Sequence, residues 1–97
     1  MKKNNKKVLF VIPAYNEEEN IKKVLEEIKK DASFADVLVI NDCSKDNTKK
    51  IVLESGVKCI DNIFNMRYAW AVQTGIKYAY QNDYDYVVQI DADGQHI

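Results

Sequence analysis

The sequence predicts an α/β fold, a mostly parallel four-stranded sheet with helices on both faces. Four short apolar runs rich in β-branched residues alternate with segments whose apolar residues recur at helical spacing. Strands and helices that alternate in this way join through right-handed crossovers, which gives parallel pairing and cover on both sides.

Taken in order, residues 8–12 (Val-Leu-Phe-Val-Ile) form a continuous apolar run, as in a strand buried on both faces. Pro13 lacks a ladder donor and is expected to end it. Asn16 suits a helix N-cap, and Glu17, Glu18 and Glu19 load the first turn with the charge the helix dipole favours. Ile21, Val24, Leu25 and Ile28 follow at i, i+3, i+4 and i+7, one apolar helix face. Residues 37–40 are a second strand, followed by Asn41 and Asp42. Residues 42–46 read as a turn in which Ser44 or Asp46 caps the next helix, and Gly56 marks that helix's end. Residues 57–60 make a third strand. Ala69, Val72, Ile76, Ala79 and Tyr80 again have helical spacing, and residues 86–90 are a fourth strand. Repeats, low-complexity stretches and interior linkers are absent from the sequence.

With 97 residues the chain has room for one core, so residues 1–97 are expected to form a single unit. An apolar fraction of 46% and a charged fraction of 30% fit a soluble globular protein. The net charge of −1 argues against nucleic acid as a partner. Lys2, Lys3, Lys6 and Lys7 read as a solvated arm. The longest apolar run is too short to cross a bilayer, and it leads into an acidic segment, unlike a signal peptide. Cys43 and Cys59 are expected as free thiols in a reducing compartment, which points to a cytoplasmic protein.

In parallel sheets ligands gather beyond the carboxyl ends of the strands. The unusual polar clusters stand at such ends: Tyr15-Asn16-Glu17, Asn41-Asp42 and Asp91-Ala92-Asp93. Asp91 and Asp93 would repel unless a cation or a proton lay between them. An oxygen-rich site suits Mg²⁺ or Mn²⁺, which keep waters and accept substrate phosphates. Gln95 adds an oxygen and His96 an imidazole, and the alternative is a solvated acidic turn. Tyr15 suits stacking on a flat base, or is a partly buried loop aromatic. Asp42 suits a base N–H, or forms an Asx-turn. Ring stacking, one base-edge acceptor and a metal on phosphates together suit a nucleoside diphosphate.

Val-Ile-Pro13-Ala14-Tyr15-Asn16-Glu17-Glu18, Val-Ile-Asn41-Asp42-Cys43-Ser44-Lys45-Asp46-Asn47-Thr48 and Gln-Ile-Asp91-Ala92-Asp93-Gly94-Gln95-His96 resemble three successive motifs of the family 2 glycosyltransferases. The Asp-Ala-Asp-Gly-Gln-His form is similar to the dolichyl-phosphate-mannose-synthase-like branch. Residues 65–79 resemble that family's Asn-x-Gly-x-Gly-x-Ala-x-x-x-Gly helix. The resemblance implies the Rossmann-like GT-A fold, as the N-terminal, nucleotide-sugar-binding half of a catalytic domain. It implies nucleotide contacts from Pro13, Ala14, Tyr15, Glu17, Asp42, Arg67 and Ala92, and a Mg²⁺ or Mn²⁺ ion held by Asp91, Asp93 and Gln95.

The departures from the family pattern are specific. Asn41 stands where the family has a first Asp, and Cys43 where it has Gly. Arg67 and Ala69 replace two glycines, so Arg67 either contacts phosphate or makes a surface salt bridge. The catalytic base is expected beyond Ile97, since Asp83 and Asp85 read as solvated loop acids.

The implied activity is transfer of a hexose from a UDP- or GDP-sugar, with a polyprenyl phosphate as the acceptor in the similar branch. The full-length enzyme would then work at the inner face of the membrane. The alternative is a non-catalytic nucleotide-binding or self-associating fragment. A dinucleotide-dependent oxidoreductase would need Gly-x-Gly-x-x-Gly after the first strand, where this sequence has Pro-Ala-Tyr-Asn-Glu-Glu. The strand Tyr86-Val-Val-Gln-Ile-Asp91 carries no Pro or Lys to guard an edge, and a homo-oligomer joined through it is expected.

Overall fold

The computed structural model describes residues 6–42, 44–62 and 67–92, with 62 and 67–72 described by their main chain alone. The elements alternate as expected: β1 (Val8–Ala14), α1 (Ile21–Asp31), β2 (Asp36–Asp42), α2 (Thr48–Glu54), β3 (Lys58–Asn62), α3 (Arg67–Gln81) and β4 (Tyr86–Gln89). The sheet order is β3-β2-β1-β4, with every pairing parallel. The chain winds outward from β1 to β3, then returns to β1's other side as β4. The topological switch point therefore lies between β1 and β4, where such sheets open a crevice at their carboxyl edge.

Alternation along β1 divides its side chains between two cores. Ile12 and Ala14 pack with Val39, with Val52 of α2 and with Ile21, Val24, Leu25 and Ile28 of α1. Leu9 and Val11 turn the other way and pack with Leu38, Ile40 and Ala79 of α3. Helices α1 and α2 thus cover one face of the sheet and α3 the other.

Four local expectations are corrected. Pro13 does not end β1; it pairs with Ile40 inside the strand. Val11's carbonyl accepts from the Ile90 N–H, so Pro13, two residues on, turns its nitrogen to the same side. There β4 has already stopped at Gln89, and the missing donor breaks no ladder bond. Asn16 does not cap α1 either. It adopts a left-handed φ of 53°, and α1 begins at Ile21 after Asn20, with no acidic residue in its first turn. Asn41 and Asp42 do not follow the second strand but are its last two residues, both buried.

The face of α3 also differs from expectation. Ile76 and Tyr80 are 52% and 85% exposed, while Gly75 and Ala79 face the sheet. A Cβ on Gly75 would lie 2.4 Å from Val11 Cγ1, so the helix comes close to β1 only because the residue there is glycine. Ala69 and Val72 belong to the stretch described by its main chain alone. Gly56 ends α2 as expected, at φ 76°. Its N–H donates to Leu53 O and that of Val57 to Val52 O, the paired bonds of a Schellman cap.

Candidate functional site

The switch point gathers residues from three neighbouring strands. Tyr15 follows β1 with 44% of its surface exposed, and Asp42 closes β2, buried to 6% exposure. Asp91 is half-buried just after β4. Ala14 and Ala92 share one core cluster with Ile12 and Ile90, which ties the ends of β1 and β4 together. With their side chains buried, Ala14 and Ala92 can offer a ligand only their main chain. Arg67 begins α3 and is described by its main chain alone. Asp93, Gln95 and His96 lie outside the described residues, as does Cys43. Asp85 is far from this rim, at the amino edge, where its carboxylate accepts from the Lys7 N–H at 2.7 Å.

The loops after β1 and β2 are bonded to each other. The N–H of Asn16 donates to Ser44 Oγ at 3.0 Å, that of Glu17 to Thr48 Oγ1 at 2.9 Å, and that of Glu18 to Asp46 Oδ2 at 3.2 Å. In the reverse direction the Lys45 N–H donates to Asn16 Oδ1 at 2.8 Å. Asp46 Oδ1 accepts from both the N–H and the hydroxyl of Thr48. Neither Asp46 nor Ser44 is the cap of α2: the N-cap is Asn47, which makes no side-chain capping bond. Asp46, one residue earlier, takes the amide of the first helical residue, and Ser44 serves the β1 loop. Burial pushes the Asp46 carboxyl up, but the bonds from Thr48 and Glu18 outweigh it and hold the group below the usual carboxylate range. The spacing Asp46-x-Thr48 signals a cap; nothing in it signals the amides arriving from a loop 28 to 31 residues away.

Asn41 belongs to a second network. Its Nδ2 donates to Asp61 Oδ1 across the β2–β3 pair at 3.1 Å, and its Oδ1 accepts from the Ser44 N–H. Lys49 forms an ion pair with Asp61. The Lys49 hydrogen bond holds the Asp61 carboxyl below its ordinary value, against a smaller opposing push from burial. An aspartate at 41 would face Asp61 directly. A cleft of about 590 Å³ opens alongside, lined by Asn41, Ser44, Asp46, Lys49 and Leu53 among others. It does not take in Tyr15, Asp42 or Asp91, and the polar rim lies outside it.

Glu17, Asp42 and Asp91 give the rim an acidic character that would repel a bare diphosphate. Hard oxygen donors of this kind fit Mg²⁺ or Mn²⁺ rather than a soft metal. Among the described residues no three His, Cys, Asp or Glu side chains form a complete ligand group. A partial protein shell is what Mg²⁺ uses when phosphates and waters complete its coordination.

A parallel sheet with its polar rim at the switch point places the chain in the doubly wound α/β class. The sequence profile of glycosyl transferase family 2 matches residues 9–97, and the chain belongs to that family. It is 34% identical over 109 residues to the UDP-N-acetylglucosamine–dolichyl-phosphate N-acetylglucosaminyltransferase of Methanococcus voltae, covering 95% of this chain and 43% of that protein. The Staphylococcus aureus TarS structure (residues 1–349, with UDP) superposes with a TM-score of 0.78 at 25% identity, over 90% of this chain and 27% of that one. The mannosyltransferase PcManGT of Pyrobaculum calidifontis, solved with GDP-mannose and Mn²⁺, shares the fold with a TM-score of 0.77 at 23% identity, over 90% and 27%. The chain spans 21% to 43% of the length of the curated relatives it matches. The sheet is thus the GT-A arrangement.

Proposed function

We propose that this chain is the donor-binding part of a glycosyltransferase, holding a UDP- or GDP-sugar with Mg²⁺ or Mn²⁺ for transfer of a hexose to an acceptor. One observation carries the reading: an exposed ring (Tyr15), a buried carboxylate (Asp42) and a half-buried one (Asp91) end three adjacent strands beside the switch point. Tyr15 stacks on the base and Asp42 accepts from its edge. Asp91, with Asp93 and Gln95, holds the ion; Pro13, Ala14, Glu17, Arg67 and Ala92 complete the nucleotide contacts. When bound, the ion neutralises charge growing on the departing diphosphate.

The dolichyl-phosphate relative supports a polyprenyl phosphate as acceptor, already ionised and so less dependent on a protein base. Among the described residues no helix is long and apolar enough to cross a membrane. A membrane-borne acceptor of this kind supports a whole enzyme that works at the cytoplasmic face of the membrane, peripherally attached. We also propose that β4, whose four residues are all exposed, pairs with β4 of a second copy.

Isothermal titration of UDP and of GDP into the protein with Mn²⁺ tests the donor site. Saturable binding of one of them is expected, and heats of dilution for both would contradict the reading. Label passing from UDP-glucose or GDP-mannose to a polyprenyl phosphate reads donor and acceptor directly.

A further inference from the structure

We infer that Asp46 is a positioning residue of the nucleotide site: with Thr48 it clasps the chain following Tyr15 to the chain following Asp42, so ring and carboxylate meet a nucleoside as one preset surface. This rests on the donor-site reading above.

Three successive amides of the β1 loop, those of Asn16, Glu17 and Glu18, are spent on side chains of the β2 loop and of Thr48, the first residue of α2. Amides at a strand-to-helix junction ordinarily open the helix or meet solvent. Here they are met by side chains from across the sheet edge, and the first helical residue of α1 is Ile21, four beyond Glu17. The two carboxylate oxygens of Asp46 serve different segments. Oδ2 takes the Glu18 amide from the first loop, and Oδ1 takes the amide and hydroxyl of Thr48 at the start of α2. Thr48 is fully buried, and its hydroxyl also accepts the Glu17 N–H, so it relays Asp46's hold one residue nearer to Tyr15. Next to Tyr15 sits Asn16 in a left-handed conformation, which asparagine tolerates better than most non-glycine residues. Its amide and its side-chain oxygen are both bonded to the β2 loop.

Two loops fixed before the ligand arrives need not be ordered by it, and that ordering cost is otherwise subtracted from affinity. Neither Asp46 nor Thr48 needs to touch the nucleotide for this effect. Both act through Tyr15 and Asp42.

The test uses the whole chain and two independent readouts. Amide hydrogen exchange at Glu17 and Glu18 in the ligand-free protein reads the clasp; titration of UDP and GDP with Mn²⁺ reads the site. Asp46→Asn keeps an acceptor for Thr48 but turns an amide donor toward the Glu18 N–H. It is expected to speed exchange at Glu18 and to weaken nucleotide binding, each about tenfold, the equivalent of one lost charged hydrogen bond. Thr48→Ser retains the hydroxyl and should restore both readouts to near wild type, whereas Thr48→Val should lose both. Folded Asp46→Asn and Asp46→Ala proteins that bind nucleotide like wild type would overturn the positioning role and leave the donor site standing. A wild-type protein that binds neither nucleotide, with Glu18 still protected, would overturn the donor-site reading itself, and the role of Asp46 with it.

Discussion

Tyr15 leaves nearly half its surface in water although Ala14, just before it, is buried. A flat ring held open beside two carboxylates is suited to a base. Replacing it by Ala should weaken UDP or GDP binding by about 1–3 kcal/mol, the usual worth of a base–aromatic stack. Tyr15→Phe keeps the ring and should be nearly neutral in the same titration; unchanged affinity in both variants would make Tyr15 a loop aromatic and nothing more. Asn41 bears on stability through its bond to Asp61. Asn41→Asp would set a carboxylate against Asp61 in place of a 3.1 Å hydrogen bond, at a cost of roughly 1–3 kcal/mol. Denaturant melts should show the loss, and Asp61→Asn should restore much of it. The pH dependence has a definite sign. Asp61 is held below its ordinary 3.8 by Lys49, so the unfolded chain protonates first as pH falls. Stability from this network is complete above 3.8 and drains away below it, as pH falls through the lower folded value. In Asp61→Asn that acid limb should flatten.

At the scale of elements, the order of strands and helices was legible because strands buried on two faces spell continuous apolar runs. Boundaries were less so, for reasons that lie in tertiary contacts. Pro13 remains in β1 because β4 stops short of it, and no local pattern encodes where a neighbour stops. Asn16-Glu17-Glu18-Glu19 has the composition of a helix start, yet Asn16 is left-handed and α1 begins at Ile21, while the amides of Asn16, Glu17 and Glu18 meet Ser44, Thr48 and Asp46. Periodicity marks helix α3 by its large residues, Ile76 and Tyr80, whereas the buried residues of its packed face, among those described, are small: Gly75 and Ala79, with Tyr78 packed beside them. Gly75 makes that face possible. In Gly75→Ala the better helix propensity, worth up to about 1 kcal/mol, opposes a methyl group driven into Val11. With 2.4 Å to Val11 Cγ1 the overlap should win, for a net loss of roughly 1–3 kcal/mol in thermal or denaturant unfolding. Val11→Ala made in the Gly75→Ala background should recover part of it, and a stabilised Gly75→Ala protein would show that α3 does not need the close approach.

For the whole molecule, the site is a consequence of winding order. Had β4 joined the sheet beyond β3, Asp91 would stand on the far side of β2 and β3 from Tyr15 rather than beside it. The same order leaves β4 on the outside, paired only with β1 among the described residues, with Tyr86, Val87 and Val88 at least 40% exposed. Light scattering at micromolar concentration should report a dimer or larger assembly that Val87→Lys disperses. A monomer that the substitution leaves unaltered would remove β4 as an interface. Of the candidate site, the exposed ring, the strand-end acids and the family motifs could be read from sequence. The cross-loop bonds could not, since they depend on which loops the fold makes neighbours. The proposal that this acidic rim would take a nucleoside diphosphate together with a divalent ion is tested most directly by thermal unfolding with UDP or GDP in Mn²⁺ and in EDTA. Ligand at ~100 Kd should add roughly 2.7 kcal/mol in Mn²⁺, little in EDTA, and nothing in Asp93→Ala. Equal stabilisation with and without the ion, unaltered by Asp93→Ala, would contradict it.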